Sequence, residues 1–244
     1  MTTWERVRTA PSWLPAVFVA PVLRWLAVRH AVPPGSPWLR ACPSCAASIG
    51  LAGPSGRCGG CGSRLGPWAF SVEVLALVAL AVGVFAVPGS VLAAYLWWAA
   101  FAVPLVLVDL AVHRLPDRLT LPAAGGVVLL LLVPAVFSGE FDRWWRAALA
   151  GAAVALFFAA TTVLLGRRGF GLGDAKLALS CAALLGWFGW AAVLAGLLAG
   201  LLASALVSIA LLVAGRVRWT SHLPFGPFLV AGTLLALILV GPRS

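Results

Sequence analysis

Apolar residues run through this chain in long, nearly uninterrupted blocks, broken by short polar segments rich in Gly, Pro and Arg. Eight blocks stand out, at residues 12–28, 70–87, 91–108, 119–137, 145–165, 176–190, 191–214 and 223–240. Neither the two-residue alternation of a half-buried strand nor a one-sided helical stripe accounts for such runs, whereas helices surrounded by lipid do. The first block is interrupted by Arg24 and two prolines, and lacks a small-residue cleavage site after its apolar stretch, so it reads as a retained helix. The uncharged stretch from Leu177 to Ala214 is too long for one crossing, and Gly186-Trp187-Phe188-Gly189-Trp190 is the expected turn within it. The expected fold is all-α: a polytopic membrane protein of about eight transmembrane helices with one short polar loop.

Composition sharpens this picture. Of 244 residues, 62% are hydrophobic and 10% charged, and mean hydropathy is +1.05. A soluble domain carries roughly a quarter charged residues, so that class is excluded. The net charge of +10 comes from Arg and a single Lys scattered singly or in pairs between the blocks. That distribution is a topology signal rather than a nucleic-acid surface. One set of alternate connections holds Arg29, Arg40, Arg57, Arg64, Arg114, Arg118, Arg167, Arg168, Lys176, Arg216 and Arg218. The other holds Arg6, Arg8, Arg143, Arg146 and Arg243. The richer side is expected in the cytoplasm, which places the N-terminus outside.

Three chemically distinctive segments fall on that cytoplasmic side. In the first, Cys42-Pro43-Ser44-Cys45 and Cys58-Gly59-Gly60-Cys61 form two C-x2-C pairs separated by twelve residues. Each pair brings two thiolates to one ion, and two pairs complete a tetrahedral four-thiolate zinc site. Such a closed site is structural, folding a loop of about 40 residues that has no core of its own. Two disulfides are the alternative, disfavoured by the reducing cytosol. Cys181, alone in an apolar block, reads as a small core residue.

The other two segments carry acids. The chain has only seven; Glu5, Glu140 and Asp142 lie in outer segments and read as solvated. Asp109 closes an apolar block, and Asp174 follows Gly171-Leu172-Gly173 and opens another. An ionisable group at membrane depth needs a partner or a function. Singly, each has a bland reading, an interfacial acid or a helix N-terminal acid. Together they have the form of an aspartic dyad, in which close carboxylates share one proton. The charged member activates water and the neutral one donates to a scissile carbonyl. Gly171 and Gly173 would then admit a substrate backbone close to Asp174.

These features in this order resemble the type IV prepilin peptidases, also called type IV leader peptidases. The resemblance runs from about residue 40 to the C-terminus. It rests on Asp109 followed by Leu115-Pro116-Asp117-Arg118-Leu119-Thr120-Leu121-Pro122, and on Gly171-Leu172-Gly173-Asp174-Ala175-Lys176. Pro224-Phe225-Gly226-Pro227-Phe228 and the cysteine loop followed by Glu73 also match. The resemblance implies a bacterial inner-membrane aspartic protease that removes the short basic leader of prepilins or pseudopilins. Cleavage after Gly, on the cytoplasmic face, would rest on Asp109 and Asp174. It divides the chain into an N-terminal transmembrane segment (1–29), a four-cysteine zinc loop (30–69) and a membrane-embedded peptidase domain (70–244). Asp117 is expected to cap the helix after it, and Lys176 to orient the dyad, meet an acidic residue of the substrate or snorkel at the interface. His113 and His222 read as ordinary loop histidines.

Many members of that family also methylate the new N-terminus with S-adenosylmethionine. This chain lacks the Gly-Ser-Phe-Leu-Asn and Arg-Leu-Pro stretches usual before the cysteines, and its segment between the knuckles is short. N-methylation and the methyl donor therefore stay open. Presenilin-type proteases also use Gly-x-Gly-Asp, but Val108 precedes Asp109 here and no Pro-Ala-Leu occurs. A proton-coupled transporter using Asp109 and Asp174 as a relay is the alternative of another class, although no internal repeat supports it. A membrane scaffold would leave both acids unexplained.

Overall fold

The computed structural model describes residues 14–33, 35–51, 55–166, 170–218 and 223–240. Arg6, Arg8, Arg167, Arg168 and Arg243 of the charge pattern, with Glu5 and His222, lie outside the described residues. Eight α-helices follow in order: α1 (Leu14–His30), α2 (Ser71–Ala86), α3 (Leu92–Val112), α4 (Asp117–Ser138), α5 (Phe141–Leu165), α6 (Leu172–Phe188), α7 (Trp190–Val213) and α8 (Gly226–Val240). Each apolar block became one helix, and the described residues contain no strand beyond two isolated bridges in the cysteine loop. The turn expected at 186–190 is there. Gly189 separates α6 from α7 at φ 126°, which an L side chain rarely adopts.

Among the described residues, four helical stretches are long and apolar enough to cross a membrane: Gly89–Val112, Asp117–Ser138, Phe141–Leu165 and Trp190–Val213. The remaining helices have 17, 16, 17 and 15 residues. At 1.5 Å per residue they reach only about 22–26 Å against about 30 Å of hydrocarbon. The expectation of eight full-length spans is thus met in helix number but not in helix length.

Two of the helices extend beyond their apolar blocks, one at each of the two acids. α3 continues to Val112, one turn past the expected end, so Asp109 sits inside it. α6 begins at Leu172, so Asp174 lies in its first turn. Both differences have one cause: an apolar count stops at the first charge, whereas backbone hydrogen bonding does not.

The interior is packed through small residues. Gly151 and Gly186 bring α5 and α6 so close that a Cβ on Gly186 would stand 2.8 Å from Ala147 Cα. α7 and α8 meet in the same way, Gly196 and Gly200 facing Gly232. Such contacts suit helices in lipid, where close packing rather than the hydrophobic effect drives association. Arg146 caps α6, donating to the carbonyls of Gly186 (2.8 Å) and Trp187 (2.7 Å).

Candidate active site and metal centre

Each aspartate is presented by a helix end and steadied by a backbone amide. Asp109, 4% exposed, accepts a hydrogen bond on Oδ2 from the Gly226 amide at 2.9 Å. Gly226 is the first residue of α8, so the start of that helix is fixed against the end of α3. A Cβ on Gly226 would lie 2.7 Å from the same carboxylate oxygen. Asp174 is half-buried and accepts on Oδ2 from the Gly171 amide at 3.1 Å, capping its own helix.

The two carboxylates line one cavity of about 540 Å³, bounded also by His113, Phe170, Ser208 and Phe225. A buttress of three rings holds the two arms together. Phe170 and Phe225, each immediately before an amide-donating glycine, stack on Phe158 of α5 at 4.5 and 5.8 Å and on each other at 4.9 Å. Thr162 further ties α5 to the Phe170 carbonyl. Nothing in the local sequence around Phe158 marks this part; only the tertiary placement of three separate phenylalanines reveals it.

Other expected residues find different partners. Gly173 faces Leu115, where a Cβ would meet Leu115 Cβ at 2.9 Å. Its small size therefore lets α6 press on the 115–117 turn. Lys176 Nζ pairs with Asp117 Oδ1 at 2.6 Å, both partly exposed. That pair ties α6 to α4 outside the cavity lining. Asp117 opens α4 after Pro116 and makes no side-chain capping bond. His113 lines the cavity beside both aspartates, a position that its loop sequence did not disclose.

The four thiols converge. Cys42, Cys45, Cys58 and Cys61 have their sulfurs within 4.8 Å of one another. Cys42 and Cys61 are 3.7 Å apart, and Cys45 and Cys58 3.6 Å. Disulfide sulfurs lie about 2.05 Å apart. Ligands at 2.3 Å around a tetrahedral zinc lie about 3.8 Å apart, so the geometry fits that ion. The two knuckles share one construction. Cys42 N–H donates to Ala47 O and Ala46 N–H to Cys42 O; Cys58 N–H donates to Ser63 O and Gly62 N–H to Cys58 O. Ser63 Oγ lies 3.0 Å from Cys61 and 3.4 Å from Cys42. Its hydroxyl holds both thiols below their usual range, Cys42 at about 6.

A buried ion pair, absent from the sequence reading, anchors this loop. Arg24 of α1 is fully buried and reaches Glu73 of α2 at 2.6 Å. Its Nη1 lies against Gly56, at the base of the second knuckle. Arg24 interrupted an apolar block, and Glu73 follows the cysteines; only the fold brings them together.

Residues 97–215 match the family model of the type IV leader peptidase family. Over those residues, just under half of its length, the chain is similar to that family. The match contains Asp109, the Leu-Pro-Asp turn and Asp174. Curated relatives extend it. The chain is similar to the prepilin leader peptidase/N-methyltransferase of Aeromonas hydrophila, 36% identical over 189 residues, covering 75% of this chain and 62% of the relative. Proteins of the same name from Aeromonas salmonicida (strain A449) and Burkholderia pseudomallei (strain K96243) are 35% and 32% identical, over 75% and 77% of this chain and 62% and 60% of theirs. The chain thus spans about three-fifths of the length of the curated relatives it matches. No solved structure gives a significant match.

Proposed function

We propose that this protein is a membrane aspartic endopeptidase that removes the basic leader of prepilins or pseudopilins, cleaving after Gly. The observation that carries this reading is the meeting of Asp109 and Asp174 in one cavity, within a segment that matches the leader peptidase family model. Water bound between the carboxylates loses a proton to the ionised member and attacks the scissile carbonyl, while the protonated member donates to its oxygen. The amides of Gly226 and Gly171 each hold one carboxylate oxygen and leave the other for this exchange.

All eight helices lie in the bilayer in this reading, the four shorter ones packed among the four long ones. The arginine-rich connections, the cavity mouth and the cysteine loop face the cytoplasm, and the N-terminus faces out. Zinc held by Cys42, Cys45, Cys58 and Cys61 would fold the loop and fix it on Arg24 and Glu73, with no part in bond cleavage.

The test is cleavage of a co-expressed prepilin with a basic leader and a Gly–Phe junction. A shortened product from the wild type and none from Asp109→Asn or Asp174→Asn supports the proposal; processing by either variant refutes the dyad. The product's mass also reads N-methylation, the second activity in the relatives' names, as one added methyl group.

A further inference from the structure

We propose that His113 is a product-binding residue, whose imidazole receives the carboxylate created on the leader when the peptide bond breaks. The inference rests on the peptidase reading above and adds a role for a residue outside the dyad. Hydrolysis breaks the C–N bond, joins the water oxygen to the carbonyl carbon and passes both water hydrogens to the departing amine. The leader is left as a carboxylate and the mature chain as an ammonium. A third carboxyl group, and with the shared proton of the dyad a second negative charge, thus arises in a cavity that already holds Asp109 and Asp174. The groups lining that cavity able to carry positive charge are His113, at the end of α3, and Arg218, after α7.

His113 occupies its place against backbone preference. It ends α3 at φ 51°, ψ 47°, donating its amide to Asp109 O at 2.8 Å. Glycine is the default residue in that left-handed helix cap. The His113 imidazole makes no hydrogen bond or ion pair with other described residues and is exposed to the cavity. One helical turn separates it from Asp109, so both are offered to the same space. The charged or titratable groups around it are Asp109 on α3, Asp174 on α6, Arg218 beyond α7 and its neighbour Arg114. A protonated imidazole is a charge-assisted donor to a carboxylate.

The experiment compares two synthetic leader peptides as inhibitors of prepilin cleavage by the purified full-length protein. One ends in Gly with a free carboxylate, the other in Gly amide. At pH 6 the wild type should bind the carboxylate about tenfold more tightly than the amide, the scale of one charge-assisted hydrogen bond. His113→Gly should abolish or invert that preference, while its melting temperature stays level or rises because the cap is relieved. His113→Gln, which keeps a neutral donor, should retain a small part of it. An unchanged ratio in His113→Gly, or no carboxylate preference in the wild type, overturns the role of His113. Absence of cleavage by the wild type fails the peptidase reading instead.

Discussion

Gly226→Ala is the most informative single change away from the carboxylates themselves. The new Cβ would stand 2.7 Å from Asp109 Oδ2 and 3.4 Å from Leu177 Cδ2. Ordinary carbon–oxygen contacts are about 3.3–3.6 Å, so the carboxylate or the start of α8 must move by about 0.6–0.9 Å. Overpacking on this scale destabilises by about 1–3 kcal/mol, which leaves a folded protein. Its effect on catalysis should be larger, because a displacement near 1 Å in a reacting group costs up to about a hundredfold. We therefore expect kcat to fall about 30- to 100-fold with KM nearly unchanged, measured by quantitative cleavage of a purified prepilin in detergent. Gly125→Ala, where a Cβ meets nothing within 4 Å, is the matched control and should keep full activity. Retention of kcat within threefold by Gly226→Ala would refute the claim that the close approach of α8 positions Asp109.

Four further outcomes follow from the packing and the thiol cluster. Gly173→Ala should impair cleavage, and the double variant with Leu115→Gly should recover part of it, since the clash is with the Leu115 Cβ; equal kcat/KM in the single and double variants would contradict this. Glu73→Gln leaves the fully buried Arg24 without its counter-charge and should lower the melting temperature markedly, as broken buried pairs cost about 3–5 kcal/mol. Cys45→Ser should remove bound zinc, read by elemental analysis. In the wild type, acidification should release the metal, because protons compete with the metal for the four sulfurs; metal retained at pH 4.5 would argue against a four-thiolate site.

The helix number and the two acids were legible because both signals are local. Apolar runs announce helices whatever they pack against, and an acid beside such a run is conspicuous among only seven. The cysteine cluster was legible too, since ligand spacing is a local property. What escaped was relational. Phe158 is one phenylalanine among twelve until Phe170 and Phe225 are seen stacked on it. Arg24 looked like a flaw in a weak block, and its partner lies 49 residues away. Gly171 and Gly173 were read as making room for a substrate. The fold uses the Gly171 amide to hold Asp174 and the bare face of Gly173 to receive Leu115.

The central claim is that Asp109 and Asp174 together cleave a prepilin. Its most direct test is mass spectrometry of a co-expressed prepilin with a Gly–Phe junction, with the wild type beside Asp109→Asn and Asp174→Asn at equal membrane levels. The account predicts a product shortened at the Gly–Phe bond in the wild type and intact precursor in both variants. Cleavage by either variant, or intact precursor in the wild type, would contradict it.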